Sequence, residues 1–251
     1  MASEYFAPAL PRVLAHRGLA LEAPENTLLA FAHAVAAGAA YVETDVHASR
    51  DGVAVISHDP EFDRVAGRAG RVEQLSLAEL REVDLGEGQT FPTLAEALDA
   101  FPETRFNIDV KVEAAVAPTV EAVRRLRAEG RVLLTSFSDA RRRRLARLVP
   151  GVATSAGVAG VLGTRLAAIT RIAPLVRAAL RGAGALQVPE HAGRLRLVTA
   201  DFVRAVHRAG AEVHVWTVNE TADMRRLLDL GVDGLVTDRA DLALALVAER
   251  S

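Results

Sequence analysis

Short apolar runs alternate with longer stretches of helical period along the chain. Val13–Ala15, Tyr41–Val46, Val53–Ser57, Arg105–Val110, Val132–Thr135, Ala153–Ala156, Ala185–Val188, Val213–Thr217 and Gly234–Val236 read as strands. Most are nearly all apolar, the pattern of strands covered on both faces. The intervening stretches read as helices. "PENTLLAFAHAVAAG" opens on polar caps and stops at Gly38, and "TADFVRAVHRAG" and "NETADMRRLLDLG" stop at glycines in the same way.

Strand–helix alternation of this kind predicts a parallel sheet. If Val53–Ser57 is an extra strand after the second, eight strand–helix units remain in 251 residues. That count predicts an α/β fold, a (β/α)8 TIM barrel, over a single domain at 1–251. The alternative is an open doubly wound sheet, which the lack of a G-x-G-x-x-G after the first strand disfavours. Residues 59–89 fit neither a plain strand nor a plain helix and read as a small insertion after the second strand, over one end of the barrel.

Half the residues are apolar, enough for one large core. The formal net charge of −2 gives no bulk attraction to nucleic acid or to an anionic membrane. There is no cysteine, which excludes disulfides and thiolate metal sites. The first residues, "MASEYFAPALPR", lack a secretory pattern, and a cytoplasmic location is expected. The longest apolar stretch, Val158 to Leu180, carries Arg165, Arg171, Arg177 and Pro174. Arginines near a bilayer centre are costly, so this stretch reads as one or two helices with no stable membrane insertion.

In a (β/α)8 barrel, chemistry sits at the C-terminal ends of the strands. The polar residues gather at those positions. His16 and Arg17 end the first strand, Glu43 and Asp45 the second, His58 and Asp59 the extra one, Asp109 and Lys111 the third. Thr217 and Asn219 follow Trp216, and Thr237-Asp238 closes the last strand. Glu43 and Asp45 stand two apart and face one side, where like charges repel unless a cation lies between them. With Asp109 they form a hard oxygen set suited to Mg²⁺ or Ca²⁺ rather than zinc. His16 and His58 read as a base and an acid. Arg17 and Lys111 supply fixed positive charge for a phosphate or carboxylate.

"AHRG", "PENT", "VETDVHASRDGVAVISHD", "FNIDVK", "VHVWTVN" and "GVDGLVTD" occur in that order from Leu14 to Asp238. In these motifs the chain resembles the glycerophosphodiester phosphodiesterases. The resemblance implies a TIM barrel and divalent-cation-dependent hydrolysis of a glycerophosphodiester to sn-glycerol 3-phosphate and an alcohol. It implies His16 and His58 as the acid/base pair, Glu43 and Asp45 as metal ligands, Arg17 and Lys111 as phosphate contacts, and Glu25 beside the metal or the glycerol. Asn26 and Thr27 match the motif, or only cap the helix. In three places the chain departs from the pattern. Asp109 replaces the usual Glu, one methylene longer, Ser49 replaces Thr, and Arg239 replaces a proline.

Other readings compete with these. Trp216 is a candidate for the substrate pocket, the alternative being a core position. His47 stands two after Asp45 on the same face and reads as a residue behind the site, and Arg141–Arg144 reads as a solvated helix face. A lysophospholipase D-like enzyme on the same barrel would need an apolar groove, which the Gly-, Arg- and Glu-rich insertion does not supply. A phosphodiester-binding protein without turnover would not need both histidines and the acidic pair.

Overall fold

A computed structural model describes residues 3–250. Every run read as a strand forms one, with ends shifted by at most two residues. In chain order the strands are β1 (Arg12–His16), β2 (Tyr41–Ala48), β3 (Ala54–Ile56), β4 (Arg105–Val110), β5 (Val132–Thr135), β6 (Ala153–Thr154), β7 (Ala185–Pro189), β8 (His191–Ala192), β9 (Leu195–Arg196), β10 (Glu212–Trp216) and β11 (Gly234–Thr237). Eight of them lie in the order β6-β5-β4-β2-β1-β11-β10-β7, every neighbouring pair parallel. The ends of that row meet. Ser155 bridges Ala185, and the Ala156 N–H donates to the Ala185 carbonyl at 3.0 Å. The sheet is therefore a (β/α)8 barrel, as the strand count predicted.

Side chains two apart on a strand share a face. The outward set, with Val13, Val42, Ile108, Leu134, Val213 and Leu235, packs under the helices in the main core. The inward set begins with Leu14, Tyr41, Leu133, Ala153, Ala185 and Val236, which bury against Tyr5 and floor the barrel. Two residues further along the same strands, the inward face presents His16, Glu43, Thr135, Ser155, Gln187 and Asp238. The apolar floor thus fixes the register that aims the polar groups at the open end.

The floor is tied by one ion pair. Arg12, 2% exposed, donates to both Glu212 carboxylate oxygens at 2.7 Å and to the Tyr41 hydroxyl at 2.6 Å. Burial alone would raise the Glu212 carboxyl, but the Arg12 and His214 hydrogen bonds outweigh it and hold it down at about 2. Its folded value lies below its ordinary 4.5, so its stabilisation is present above that value and fades as pH falls toward 2. Glu212→Gln is expected to cost about 3 kcal/mol at neutral pH, because Arg12 is left buried without its charge partner. Urea unfolding of both proteins checks this: the gap should narrow markedly at pH 3, and a constant gap would contradict it.

Strand β2 runs past Asp45, turns at Ser49–Gly52 and returns as β3, antiparallel, with Val46 opposite Ile56. This ribbon delivers His58 and carries the insertion. Few as they are, the insertion's large apolar residues are used up in a small core of its own: Phe62, Val72, Leu80, Val83 and Leu85 close on Val55 and Phe91.

The Arg141–Arg144 run departs from expectation. Only Arg143 and Arg144 face solvent. Arg142 is 2% exposed, and Arg141 donates to the carbonyls of Val110 and Lys111 and to the Ser136 hydroxyl at 2.8–3.1 Å. Arg141 therefore buttresses the loop after β4, while the buried Arg142 reaches the Thr154 hydroxyl and the Arg181 carbonyl. The apolar stretch from Val158 forms two helices, Val158–Ile169 and Ala173–Leu180. Among the described residues no helix is long and apolar enough to cross a membrane. The two-residue strands β8 and β9 form a hairpin turned at Gly193, too short to leave a period-two signature in the sequence.

Candidate active site

A cavity of about 560 Å³ opens at the C-terminal ends of the barrel strands. His16, Arg17, Glu43, Asp45, His58, Asp109, Lys111 and Trp216 all line it. Glu25 stands beside it, in a smaller cleft that shares His58 with the main cavity.

The turn after β1 sets up the first wall. Arg17 and Gly18 both have positive φ, 57° and 89°, and the Arg17 N–H donates to the Glu43 carbonyl at 2.9 Å. A Cβ on Gly18 would lie 2.7 Å from the Ala30 backbone, so only glycine lets the chain turn here. Asn26, at φ 58°, is pinned back to the Arg17 carbonyl by its own N–H at 2.9 Å. Its side chain accepts from Thr44 at 2.8 Å and donates to Asp45 Oδ2 at 3.2 Å. Of the two residues left open by the motif, Thr27 is the cap of the helix Leu28–Ala36, and Asn26 holds Asp45 in place. Glu25 accepts from Arg17 at 2.9 Å and from Arg64 of the insertion at 2.6 Å.

Each histidine is held at Nδ1 by a carboxylate: His16 by Asp238 at 2.6 Å and His58 by Asp59 at 2.7 Å. Nε2 is then the ring nitrogen left for chemistry. Burial disfavours a charged His16 ring, but the Asp238 hydrogen bond and the Glu43 carboxylate prevail and raise its pKa. Asn219 in turn fixes Asp238, donating to its carboxylate at 2.7 Å and accepting from its N–H at 2.9 Å. His47 is buried, and its Nε2 lies 3.3 Å from the carbonyl of His58. Burial lowers its pKa, which keeps the ring neutral.

The acidic set is arranged around Lys111. Its Nζ lies 2.7 Å from both Asp45 Oδ1 and Asp109 Oδ2. Burial would raise Asp45, but Lys111 outweighs it and keeps this carboxyl low, whereas in Asp109 burial prevails and raises it. Glu43 has no such partner; the nearest basic group is His16 Nε2 at 3.8 Å. Burial, and then the Asp45 charge, push its carboxyl up to about 8. Among the described residues no three His, Asp or Glu side chains stand gathered as a ready metal cage. The donor chemistry nevertheless fits a hard dication. Glu43 Oε2, Asp109 Oδ1 and Asn107 Oδ1 are buried without any hydrogen-bond partner, and all three residues line the cavity. Such orphaned oxygens are costly unless something electropositive meets them.

Four contributors escaped the sequence reading in whole or part. Asn107 is one strand position before Asp109 on the inward face, opposite Glu43. In the sequence Asp238 stands out only as a strand-end carboxylate, and nothing local pairs it with His16. Asn219 and Arg64 act through other residues, and only spatial contact could reveal them. Trp216 meets Phe137 edge to face at 6.1 Å on the apolar side of the cavity; it lines the pocket and also packs against the barrel floor.

The chain as a whole is similar to known proteins. The Glycerophosphoryl diester phosphodiesterase family matches residues 16–242. The chain is 43% identical over 231 residues to "Probable glycerophosphodiester phosphodiesterase 2" of Mycobacterium tuberculosis, covering 91% of this chain and 88% of that one. A solved structure from Silicibacter pomeroyi superimposes with a TM-score of 0.84 at 26% identity, over 99% of this chain and 98% of that one. An Oleispira antarctica phosphodiesterase, solved in complex with the product sn-glycerol-3-phosphate, does so with a TM-score of 0.80 at 26% identity, over 95% and 97%. By the breadth of the family match and the identity to the mycobacterial relative, this chain belongs to the glycerophosphoryl diester phosphodiesterase family.

Proposed function

We infer that this chain hydrolyses glycerophosphodiesters to sn-glycerol 3-phosphate and an alcohol in the cavity at the barrel mouth. The observation that carries this reading is the pairing of two carboxylate-held histidines with a buried oxygen cluster and two cations in one cavity.

Charge decides what else the site takes. Asp45 and Asp109 pair with Lys111, and Asp45 with Arg17, so both cations are already matched by carboxylates before an anionic phosphodiester arrives, and Glu43 adds a further buried acid. Glu43, Asp45 and Asp109 would hold a divalent cation, Mg²⁺ or Ca²⁺, which would tip that balance toward positive charge and supply Lewis acidity. The chain's own groups do the rest. Lys111 and Arg17 bind the non-bridging oxygens and offset charge that builds at phosphorus. His16, made more basic by Asp238, takes the proton of the attacking hydroxyl at Nε2. His58 gives a proton from Nε2 to the leaving alcohol oxygen, breaking the P–O bond. The nucleophile is the neighbouring glycerol hydroxyl, and the cyclic phosphate so formed is opened by water with the proton roles exchanged.

A second reading has one specific observation in its favour. The cavity wall opposite the insertion is apolar, built from Phe137, Val158, Val161, Leu162, Leu195 and Trp216. A lysophospholipid chain would lie there, so the apolar groove looked for in the insertion stands on the other side of the mouth.

One assay separates the readings. Glycerophosphocholine, glycerophosphoethanolamine, glycerophosphoinositol and lysophosphatidylcholine are supplied in turn, with EDTA and with Mg²⁺ or Ca²⁺ restored. The expected result is release of sn-glycerol 3-phosphate from the deacylated diesters, abolished by EDTA and recovered with a divalent ion. Turnover of lysophosphatidylcholine alone would move the assignment to the second reading, and no turnover of any diester would refute both.

A further inference from the structure

The helix Val158–Ile169 is turned the opposite way from the other barrel helices. Its inward face is small: Gly160, Thr164 and Ala168 are buried. Most of its large apolar side chains point out, Val161 being half-buried against the core. Val158, Leu162, Leu166 and Ile169 form a stripe at helical spacing, and the last three are 61%, 60% and 69% exposed. Ile172 and Leu175 continue the stripe onto the next helix, and Leu195 does so from the hairpin. Three of these residues, Val158, Leu162 and Leu195, also line the catalytic cavity, so the apolar face runs unbroken into the mouth. Contiguous apolar surface of this kind marks an interaction site.

The charge around it is one-sided. From residue 158 to residue 189 the chain holds Arg165, Arg171, Arg177 and Arg181 and no Asp or Glu, against a net charge of −2 for the whole; Arg165 turns in over the Phe202 ring, while Arg171, Arg177 and Arg181 are exposed. Arg194 and Arg196 add to it from the hairpin. Acids meet it at its edges: Arg171 is 4.0 Å from Asp201, Arg196 is 3.3 Å from Glu190, and Asp139 accepts from the Ala159 N–H at 2.9 Å at the start of the helix. Exposed Leu and Ile flanked by arginine, with no acid among them, is the chemistry of a helix lying in an anionic lipid interface.

We propose that this face, formed by the helices Val158–Ile169 and Ala173–Leu180 and the β8–β9 hairpin, docks on an anionic phospholipid surface and sets the cavity mouth against it. The protein rests on the bilayer without crossing it: its apolar stripe enters the headgroup region while the arginines meet lipid phosphates. A second copy of the chain is the rival occupant of the same face, but two copies would set arginines against arginines.

Co-sedimentation of the whole protein with vesicles tests this. The wild type should bind vesicles of phosphatidylglycerol mixed with phosphatidylcholine, bind those of phosphatidylcholine alone weakly, and detach as salt is raised. Leu166→Ser/Ile169→Ser should weaken binding by about tenfold or more, since two apolar side chains no longer enter the interface. Neither residue lines the cavity, so hydrolysis of dissolved glycerophosphocholine should be unchanged, which also confirms folding. Leu175→Ser is the second variant should the double one not fold. Equal binding to both vesicle types, retention of binding by a folded variant, or a wild-type dimer that the variant dissociates with no vesicle binding in either, would overturn the proposal.

Discussion

His16→Ala is expected to lower kcat for glycerophosphocholine by about 10²–10⁴-fold, the usual reach of a positioned general acid or base. The ring stands at the cavity with its Nδ1 spent on Asp238, so what the alanine removes is the proton-carrying Nε2. KM should move little, because phosphate binding falls to Lys111 and Arg17. His58→Ala should match it, since its Nδ1 is held by Asp59 in the same manner. Thermal unfolding should be nearly unaffected in both, as neither histidine packs in the core. Steady-state kinetics beside a melting curve checks the pair, and a variant that keeps near-normal kcat would remove that histidine from the mechanism.

Glu43→Gln carries the second large effect, and it separates stability from function. Glu43 is buried and its Oε2 has no hydrogen-bond partner, so the ionised side chain works against the metal-free fold. The amide keeps the shape and removes the charge. Without divalent ions the variant should melt at the wild-type temperature or higher. With Mg²⁺ or Ca²⁺ the wild type should gain stability by linkage, and the variant should gain far less. Its turnover should fall by about 10²-fold or more, because the site loses one charged oxygen ligand. Melting curves with and without divalent ions read the first effect independently of activity. An equal ion-induced shift in both proteins would take Glu43 out of the ligand set.

The barrel itself was legible in the sequence because parallel strands leave apolar runs of fixed length between helical repeats, and those runs can be counted. The site was legible for a related reason: His16, Glu43, Asp45, His58, Asp109 and Lys111 all fall where such runs end. The signal that went unused was the period within each strand. Tyr41 and Glu43, or Leu133 and Thr135, alternate with outward apolar residues, and that alternation marks the lumen. It would have drawn attention to Asn107. Other features depend on long-range contact and leave no local trace. Asp238 reaches His16 across 222 residues of chain. Arg64 comes to Glu25 only because the insertion folds on its own core, and Arg142 is buried within a run that composition alone reads as solvated. The outward Leu and Ile of the Val158–Ile169 helix were visible as an apolar stretch, but which side of that helix faced the barrel was not.

The account rests on a phosphate and a divalent ion meeting between Glu43, Asp109 and the two histidines. Manganese makes that meeting observable, since a bound Mn²⁺ strongly broadens the phosphorus resonance of any phosphate it touches. The measurement is the ³¹P linewidth of sn-glycerol 3-phosphate titrated into the Mn²⁺-loaded protein, with Glu43→Gln as the control. The predicted result is broadening well beyond that from Mn²⁺ free in solution, and its loss in the variant. Equal broadening in both proteins, or none beyond free Mn²⁺ in the wild type, would contradict the account.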